Sequence, residues 1–377
     1  RKKVLSQPRL KKENLAMKNS QIIIENILKN NHALLCGNCL DILKDMPNES
    51  IDCAITSPPY WKQREYQHEN GSDYEAIGDE KDPNGYVKNL SDIFTEVQRV
   101  LKPQGSFWLN LGDKFYNKNL MGMPWRVALR MQEQGWILRS DIIWDQMKGT
   151  QSAKDRMRDV YEHVFHFVKS HTYYFADKEI RIKPKLLPKM NGNVMVSATG
   201  VSGKKYFEQI ETSTALSNIE KKNARSALEQ TIEEMKSGLV VDFRMTIRGN
   251  QRTYHSDNKN VSGRAKELET KGYFFLKMKA SGYLPSDIWR IVPEDEWRKD
   301  AHYAVFPEEL LIVPIKSTCP IGGIVLDPFS GIGSTVSAAI KHGRNGIGIE
   351  LSKSYNEIAK KRVASTLQNT PSLLPLL

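Results

Sequence analysis

Two short stretches of the chain carry residue types that could do chemistry. The first spans residues 51–60, where an apolar run leads directly into Ser57-Pro58-Pro59-Tyr60. Proline lacks the backbone N–H that a central strand needs, so the strand must end before the two prolines, which then stiffen the chain. The pattern predicts a rigid corner that presents a hydroxyl, a carbonyl oxygen and an aromatic ring at a strand tip.

The second stretch, residues 325–335, reads VLDPFSGIGST. It predicts a strand that ends at Asp327, a turn through Gly331 and Gly333, and a helix from about Ser334. Glu350 ends the next predicted strand, where an acid can accept hydrogen bonds from both hydroxyls of a ribose. The spacing matches neither the dinucleotide fingerprint nor a P-loop. It predicts an adenosine-like ligand without a pyrophosphate, which S-adenosylmethionine fits; a purely structural left-handed corner is the alternative.

The elements that position these stretches alternate between strand and helix in residues 31–184 and again in 282–377. Apolar strand patterns occur at 33–36, 51–55 and 106–112, and residues 84–102 have helical spacing that Pro103-Gln104-Gly105 interrupts. Residues 185–281 lose this alternation and are polar. We predict an α/β fold in which both flanking parts share one doubly wound, mostly parallel sheet, with 185–281 as an insert and 1–30 as a basic tail.

The positive charge of the chain is concentrated in two places. The net charge is +11; residues 1–20 hold seven Lys or Arg against one Glu, and residues 185–281 hold 17 against ten Asp or Glu. This distribution favours contact with a polyphosphate such as DNA, with a solvated basic surface as the alternative. Side chains suited to phosphates and base edges cluster in the insert, namely Arg244, Arg248, Gln251, Arg252 and Lys259.

The four cysteines argue against a structural metal site. Cys36 and Cys39 form a C-x-x-C, but no second pair follows, and the other two, Cys53 and Cys319, are isolated. We predict no bound metal and reduced thiols in a cytosol. No apolar run reaches the roughly 18 residues of a membrane span, so a cytoplasmic, prokaryotic location without membrane contact is expected.

The two stretches, in this order, resemble the permuted β type of amino-group DNA methyltransferases. That family places a (D/N/S)-P-P-(Y/F/W) motif early and an F-x-G-x-G cofactor loop late, here Ser57-Pro58-Pro59-Tyr60 and residues 329–333. Further matches are GNCLDIL, RVLKPQGSFWLNLGD, HYAVFPEEL and GIGIEL. The resemblance covers about 33–184 and 285–365. It implies a Rossmann-like fold, S-adenosylmethionine as cofactor and duplex DNA as substrate, with the insert reading the target sequence.

The resemblance also implies roles for individual residues. Ser57, Pro58, Pro59 and Tyr60 would be catalytic, with Trp61 closing the pocket against DNA. The set expected to hold the cofactor is Asp41, Phe306, Pro307, Asp327, Phe329, Gly331, Gly333, Ser334, Thr335 and Glu350. For Asp41, capping of a helix N-terminus is an equal alternative. The expected DNA contacts from the insert are Arg244, Arg248, Gln251, Arg252 and Lys259.

The base and the biological setting stay open at this point. A serine in the first motif position favours N4 of cytosine, whereas aspartate would favour N6 of adenine. Methylation of RNA or of a protein glutamine is a second alternative, although such relatives carry Asn-Pro-Pro-Tyr and the opposite motif order. A DNA-binding protein without catalysis is a third. A cognate restriction endonuclease, and a monomeric or homodimeric state, are not decided by the sequence.

Overall fold

The computed structural model describes residues 32–63, 77–147, 154–250, 263–293, 297 and 307–370. The predicted basic tail and the predicted site residues Phe306, Gln251, Arg252 and Lys259 lie outside these residues. The chain forms two compact units, one made of Arg1–Glu179 with Ser286–Leu377 and the other of Ile180–Pro285. The predicted insert, 185–281, lies inside the second unit.

The described residues form fourteen strands and nine α-helices. The strands are β1 (His32–Cys36), β2 (Ile51–Thr56), β3 (Leu101–Leu111), β4 (Phe115–Tyr116), β5 (Asn119–Leu120), β6 (Ile137–Asp145), β7 (Tyr161–Val168), β8 (Lys189–Asn191), β9 (Val194–Val196), β10 (Val240–Ile247), β11 (Tyr273–Lys279), β12 (Ile288–Arg290), β13 (Ile324–Asp327) and β14 (Asn345–Glu350). The helices are α1 (Cys39–Asp45), α2 (Pro83–Val100), α3 (Met123–Glu133), α4 (Lys204–Thr212), α5 (Asn218–Lys236), α6 (Arg264–Lys271), α7 (Glu308–Thr318), α8 (Ser334–Lys341) and α9 (Lys353–Asn369).

One eight-stranded sheet organises the first unit and confirms the predicted fold class. Its strand order is β1-β14-β13-β2-β3-β7-β6-β12. All neighbouring pairs are parallel except those of β7, which runs antiparallel to both β3 and β6. The late strands β13 and β14 therefore lie between β1 and β2, so the two flanking sequence segments build a single sheet as predicted.

This topology gathers the functional stretches at one edge of the sheet. Parallel strands place their carboxyl ends at the same edge, which is where open α/β sheets bind ligands. Ser57 follows β2, Asp327 ends β13 and Glu350 ends β14. Because β7 is antiparallel to β3, its first residues lie at this edge as well.

Both faces of the sheet are buried, which explains the continuous apolar runs of the strands. Successive residues of β3 alternate between two cores: Phe107 and Leu109 face the layer of α2 and α3, whereas Trp108 faces the layer of α7 and α8. The amphipathic pattern of residues 84–102 corresponds to α2, which buries Leu90, Phe94 and neighbouring residues. The helix ends before Pro103 as predicted.

The start of β3 differs from its prediction. The strand begins at Leu101, directly after α2, and not at Ser106. Its pairing with β2 shifts register between Ile51, opposite Leu101, and Cys53, opposite Ser106. The Pro-Gln-Gly segment lies in this irregularity, which lets an extended chain carry a proline that regular pairing would exclude.

The second unit has a core of its own, which its polar composition concealed. Helices α4 and α5 pack on the antiparallel pair β10–β11, burying Ala224, Leu228 and Phe243 among others. Helix α5 starts with a capping box in which Ser217 and Glu220 bond each other's backbone N–H groups. No helix among the described residues is long and apolar enough to cross a membrane.

Candidate active site

The Ser57-Pro58-Pro59-Tyr60 corner leaves the sheet at the end of β2. Pro58 is buried and the other three residues are half-buried. The Tyr86 hydroxyl on α2 donates to the Pro59 carbonyl oxygen at 2.8 Å, which fixes the second proline to the helix layer. The two proline rings therefore restrict the backbone of the corner, and the hydrogen bond from Tyr86 anchors the corner to α2.

Ser57 and Tyr60 belong to a hydrogen-bonded cluster with two residues from other strands. The Tyr60 hydroxyl donates to Glu162 Oε2 at 2.6 Å and lies 3.1 Å from Ser57 Oγ. Asn110 Nδ2 lies 2.6 Å from Tyr60 Oη, 2.7 Å from Glu162 Oε2 and 3.2 Å from Ser57 Oγ. Burial, and then the Glu162 carboxylate, raise the pKa of Tyr60 well above its ordinary value, so its hydroxyl stays protonated.

Strand register explains how Asn110 and Glu162 reach the corner. Asn110 on β3 pairs with Val164 on β7, and Leu111 pairs with His163. Glu162 is the next residue towards the start of β7, so it lies beyond the end of β3. Sequence reasoning missed both residues. Strand β7 begins at Tyr161, so Glu162 is its second residue and belongs to the sheet.

The ring of Tyr60 packs against a glycine that the cluster requires. A Cβ atom at Gly112 would lie 2.7 Å from Tyr60 Cε2 and 3.1 Å from Cδ2. Such contacts are far shorter than normal carbon contacts of about 3.5–4.0 Å. Gly112 follows β3 directly, so the glycine leaves room for the tyrosine ring at the sheet edge.

Asp327 forms a second, fully buried centre beneath the glycine turn. Its carboxylate accepts from Thr56 Oγ1 and Thr335 Oγ1, each at 2.6 Å, and from the Phe329 N–H at 3.0 Å. Burial raises the pKa of Asp327 to about 6. These bonds join β2, β13 and α8, so Asp327 and Thr335 support the turn from below.

Ser334 has a similar supporting position. It is buried at the first turn of α8, and its hydroxyl accepts from Arg362 Nη1 at 3.0 Å. The sequence-based expectation that Ser334, Thr335 and Asp327 contact a cofactor directly is therefore not favoured, because all three side chains are buried, at 0–3% exposure, and their polar atoms bond to protein groups. We assign the three residues to holding the shape of the turn.

The glycine turn exposes its backbone beside one carboxylate, that of Glu350. Gly331 adopts a φ of +51°, and a Cβ there would meet nothing within 4 Å, so the turn is open at this point. Its N–H donates to Glu350 Oε2 at 2.8 Å, and the Ser352 N–H donates to Oε1 at 2.8 Å. Gly333, at φ +78°, lies against Ala359, which would be 3.0 Å from an added Cβ. Burial raises the pKa of Glu350.

Three further predicted cofactor residues border this edge. Asp41 lies in the first turn of α1, which follows β1; the N-cap of that helix is Asn38, so the capping alternative for Asp41 is wrong. Pro307 is buried immediately before α7, and Phe329 packs half-buried on the core. An acid at a strand end, an open glycine turn and an apolar ring fit an adenosine-containing ligand.

Trp61 has a packing role that differs from the predicted contact with DNA. Its side chain is 1% exposed and its indole N–H donates to the Glu80 carbonyl oxygen at 2.9 Å. A fully buried ring cannot meet a base without leaving its site, so we leave Trp61 out of the DNA-contacting set. The neighbouring ring, Tyr116 on β4, lies 5.6 Å from Trp61 and is 45% exposed.

Tyr116 belongs to a small hairpin that sequence reasoning also missed. Strands β4 and β5 are joined by Asn117 and Lys118, both with positive φ, which is the geometry of a type I′ turn. Lys62 Nζ lies 5.0 Å from the Tyr116 ring. The signal in the sequence is the short YNKN run, whose asparagine tolerates the left-handed conformation.

The two described arginines of the predicted DNA-reading set make contacts within their own unit. Arg248 donates to the Glu220 carboxylate at 2.8 Å and to two backbone carbonyl oxygens, those of Ala215 and Glu269. Arg244 donates to Asp242 at 3.2 Å and to Thr199 Oγ1 at 3.0 Å, with its side chain about half exposed. These bonds favour a structural role for Arg248 and leave Arg244 as a predicted DNA contact.

Comparison with known proteins adds an independent observation. The sequence profile of a family described as DNA methylase, N6_N4_Mtase, matches residues 51–361. The chain is 27% identical to the Type II methyltransferase M.SfiI of Streptomyces fimbriatus, covering 86% of this chain and 89% of the relative. It is 26% identical to the Type II methyltransferase M.SmaI of Serratia marcescens, covering 88% and 90%.

A solved structure shares the fold. The PvuII DNA methyltransferase, described as cytosine-N4-specific, superimposes with a TM-score of 0.51 at 17% sequence identity, covering 88% of each chain.

Proposed function

The chain belongs to the family of DNA methylases that modify exocyclic amino groups, N6 or N4, and on this basis we propose that it methylates N4 of cytosine in duplex DNA. The methyl donor is S-adenosylmethionine. The observation that carries the choice of base is Ser57, which occupies the first position of the catalytic motif where adenine-specific relatives tend to have aspartate.

The corner residues act on the target amine. An exocyclic amine is a poor nucleophile because its lone pair is delocalised into the base ring. Ser57 Oγ accepts a hydrogen bond from the amine and localises that lone pair on nitrogen, and the two prolines hold the acceptor in place before the base arrives. Tyr60 provides a ring face for the base, and its bond to Glu162 fixes the ring orientation.

When bound, the cofactor supplies an electrophilic methyl group. Glu350 would hold its ribose through the carboxylate oxygens that also accept from Gly331 and Ser352, and Phe329 would lie beside the adenine. Asp327 keeps the turn in shape through its bonds to Thr56 and Thr335. Asp41, Pro307, Gly333 and Phe306 remain proposed neighbours of the cofactor, of which Phe306 lies outside the described residues.

The target base must leave the helix, because its amine is not accessible within a duplex. Arg244, Gln251, Arg252 and Lys259 remain the proposed DNA contacts of the insert, the last three lying outside the described residues. The β4–β5 hairpin adds Lys118, whose side chain is 88% exposed and pairs with Asp155 at 3.2 Å. Relatives named Type II methyltransferases make a cognate restriction endonuclease the proposed partner.

The alternative within the same mechanism is N6 of adenine. Incubation of the protein with unmethylated bacterial DNA and methyl-labelled S-adenosylmethionine, digestion to nucleosides and mass spectrometry separate the two. The proposal expects label in N4-methyldeoxycytidine. Label in N6-methyldeoxyadenosine overturns the choice of base and retains the reaction. Cofactor binding without any label on DNA that contains all short sequence combinations contradicts the proposed reaction itself.

A further inference from the structure

Glu162 contributes a carboxylate that forms a hydrogen bond with the catalytic corner, although this residue is not part of the sequence motif. Its Oε2 atom accepts from the Tyr60 hydroxyl at 2.6 Å and from Asn110 Nδ2 at 2.7 Å. It projects from the first residues of β7, the strand that reverses direction in the sheet. Its position is therefore set by the sheet and not by the flexibility of a loop.

Hydrogen-bond direction follows from the groups involved. An ionised carboxylate can only accept, so the single proton of the Tyr60 hydroxyl points to Glu162. Tyr60 Oη then has only lone pairs for its other neighbours. Ser57 Oγ, 3.1 Å away, must therefore be the donor in the Ser57–Tyr60 bond.

The orientation of the Asn110 side chain follows from the same hydrogen-bond directions. Its side chain is 4% exposed, and the amide group that faces Glu162 must be the nitrogen, because a carboxylate cannot bond to the amide oxygen. Both hydrogens of Nδ2 are thus directed at the oxygens of Ser57, Tyr60 and Glu162. Asn110 therefore supports the hydrogen-bond direction that Glu162 sets, in which Ser57 donates to Tyr60 and Tyr60 donates to Glu162.

From this arrangement we propose that Glu162 is a positioning residue that makes Ser57 an obligatory hydrogen-bond acceptor towards the target amine. Serine hydroxyls can rotate and either donate or accept. With its proton committed to Tyr60 and one lone pair accepting from Asn110 Nδ2, Ser57 Oγ has its second lone pair for the base, which is the polarity that an NH₂ group requires. The inference rests on the proposed function and adds the residue that gives the serine its direction.

The chemistry explains why such a residue is needed here. In relatives with aspartate at the first motif position, the catalytic acceptor is a carboxylate that needs no orientation. A serine in that position is ambiguous, and a hydroxyl that donated to the amine nitrogen would occupy the lone pair that must attack. The hydrogen bonds that run from Ser57 through Tyr60 to Glu162 exclude a Ser57 hydroxyl that donates to the amine. They do so without bringing a charged side chain against the base.

The test is a set of substitutions measured by single-turnover methyl transfer. Glu162→Gln keeps the shape but lets the side chain donate as well as accept, so the transfer rate is expected to fall about ten- to a hundredfold. Cofactor affinity, measured by calorimetry, is expected to stay within about twofold. Glu133→Gln, on the exposed side of α3 in an ion pair with Arg130, is the matched control and should keep the wild-type rate.

The decisive comparison repeats Glu162→Gln in a Ser57→Ala background. If Glu162 acts through Ser57, its substitution changes the rate there by less than about threefold, because the group it orients is gone. An equal fall in both backgrounds would show general damage to the site and overturn the proposal, as would a wild-type rate for Glu162→Gln alone. The comparison uses whichever base the labelling experiment identifies, so a wrong choice of base is distinguished from a wrong role for Glu162.

Discussion

Gly112 offers a way to disturb the catalytic corner without removing any of its functional groups. In Gly112→Ala the new Cβ would lie 2.7 Å from Tyr60 Cε2. Normal contact requires about 3.5–4.0 Å, so the ring must move by about 1 Å. The backbone at Gly112 needs no positive φ, so alanine adds no conformational strain there.

The consequences follow from the distances. The Tyr60–Glu162 bond of 2.6 Å would lengthen to about 3.6 Å if the ring moved away from the carboxylate, beyond hydrogen-bond range. Displacement of a positioned group by about 1 Å costs roughly a hundredfold in rate. The added methyl group should also lower the free energy of unfolding by about 1–3 kcal/mol.

The assay is single-turnover methyl transfer, with cofactor affinity and urea unfolding measured on the same preparations. Gly85→Ala is the control, because its Cβ would meet atoms no closer than 3.5 Å in the first turn of α2. It should retain the wild-type rate and cofactor affinity. A Gly112→Ala enzyme with a rate within about threefold of wild type would refute the reasoning that the ring position governs catalysis.

Three further substitutions test separate parts of the structure. Glu350→Gln places an amide N–H against the Gly331 N–H or the Ser352 N–H, so cofactor affinity by calorimetry should fall at least tenfold. Asp327→Asn should reduce the pH dependence of stability. The folded pKa of Asp327, about 6, exceeds the unfolded value, so this group lowers wild-type stability by about 2–3 kcal/mol as pH rises from about 4 to about 6. In urea unfolding the fall should be smaller in the variant by about that amount, and the part contributed by other groups such as Glu350 should remain. Arg248→Ala breaks the bond to Glu220 and should lower the thermal midpoint, while the salt dependence of DNA binding by filter assay stays unchanged.

Each of these has a result that contradicts it. Unchanged cofactor affinity in Glu350→Gln would remove that acid from the binding site. Identical pH dependence in Asp327→Asn and wild type would show that other groups titrate in that range. A shallower salt dependence in Arg248→Ala would restore the sequence-based interpretation of that arginine as a phosphate contact.

The sheet was predictable because its strands carry a strong and unambiguous pattern. Strands buried on both faces read as apolar runs, and prolines such as Pro58 and Pro328 mark where two of them end. The order of the two motifs then places late strands beside early ones. The second unit was harder to predict, since the buried stripe of α5 is narrow and most of its surface is charged.

The site was predictable only where one contiguous stretch carries it. Ser57 and Tyr60 are adjacent to the prolines that reveal them, whereas Asn110 and Glu162 reach the corner through strand register, which a single sequence does not display. The contacts of Trp61 and Arg248 differ from their sequence-based interpretation for a related reason. Residue type indicates what a side chain can contact, but not which partner it has in the fold. The Trp61 indole bonds to the Glu80 carbonyl oxygen, and the Arg248 guanidinium bonds to the Glu220 carboxylate.

The most direct test of the account is methyl transfer by Ser57→Ala, measured under single-turnover conditions beside wild type with cofactor and DNA affinities determined for both. The account predicts unchanged affinities and a transfer rate lower by about a hundred- to a thousandfold, because one positioned acceptor is lost. A variant that binds both ligands and transfers the methyl group at the wild-type rate would contradict the assignment of Ser57 as the acceptor of the target amine.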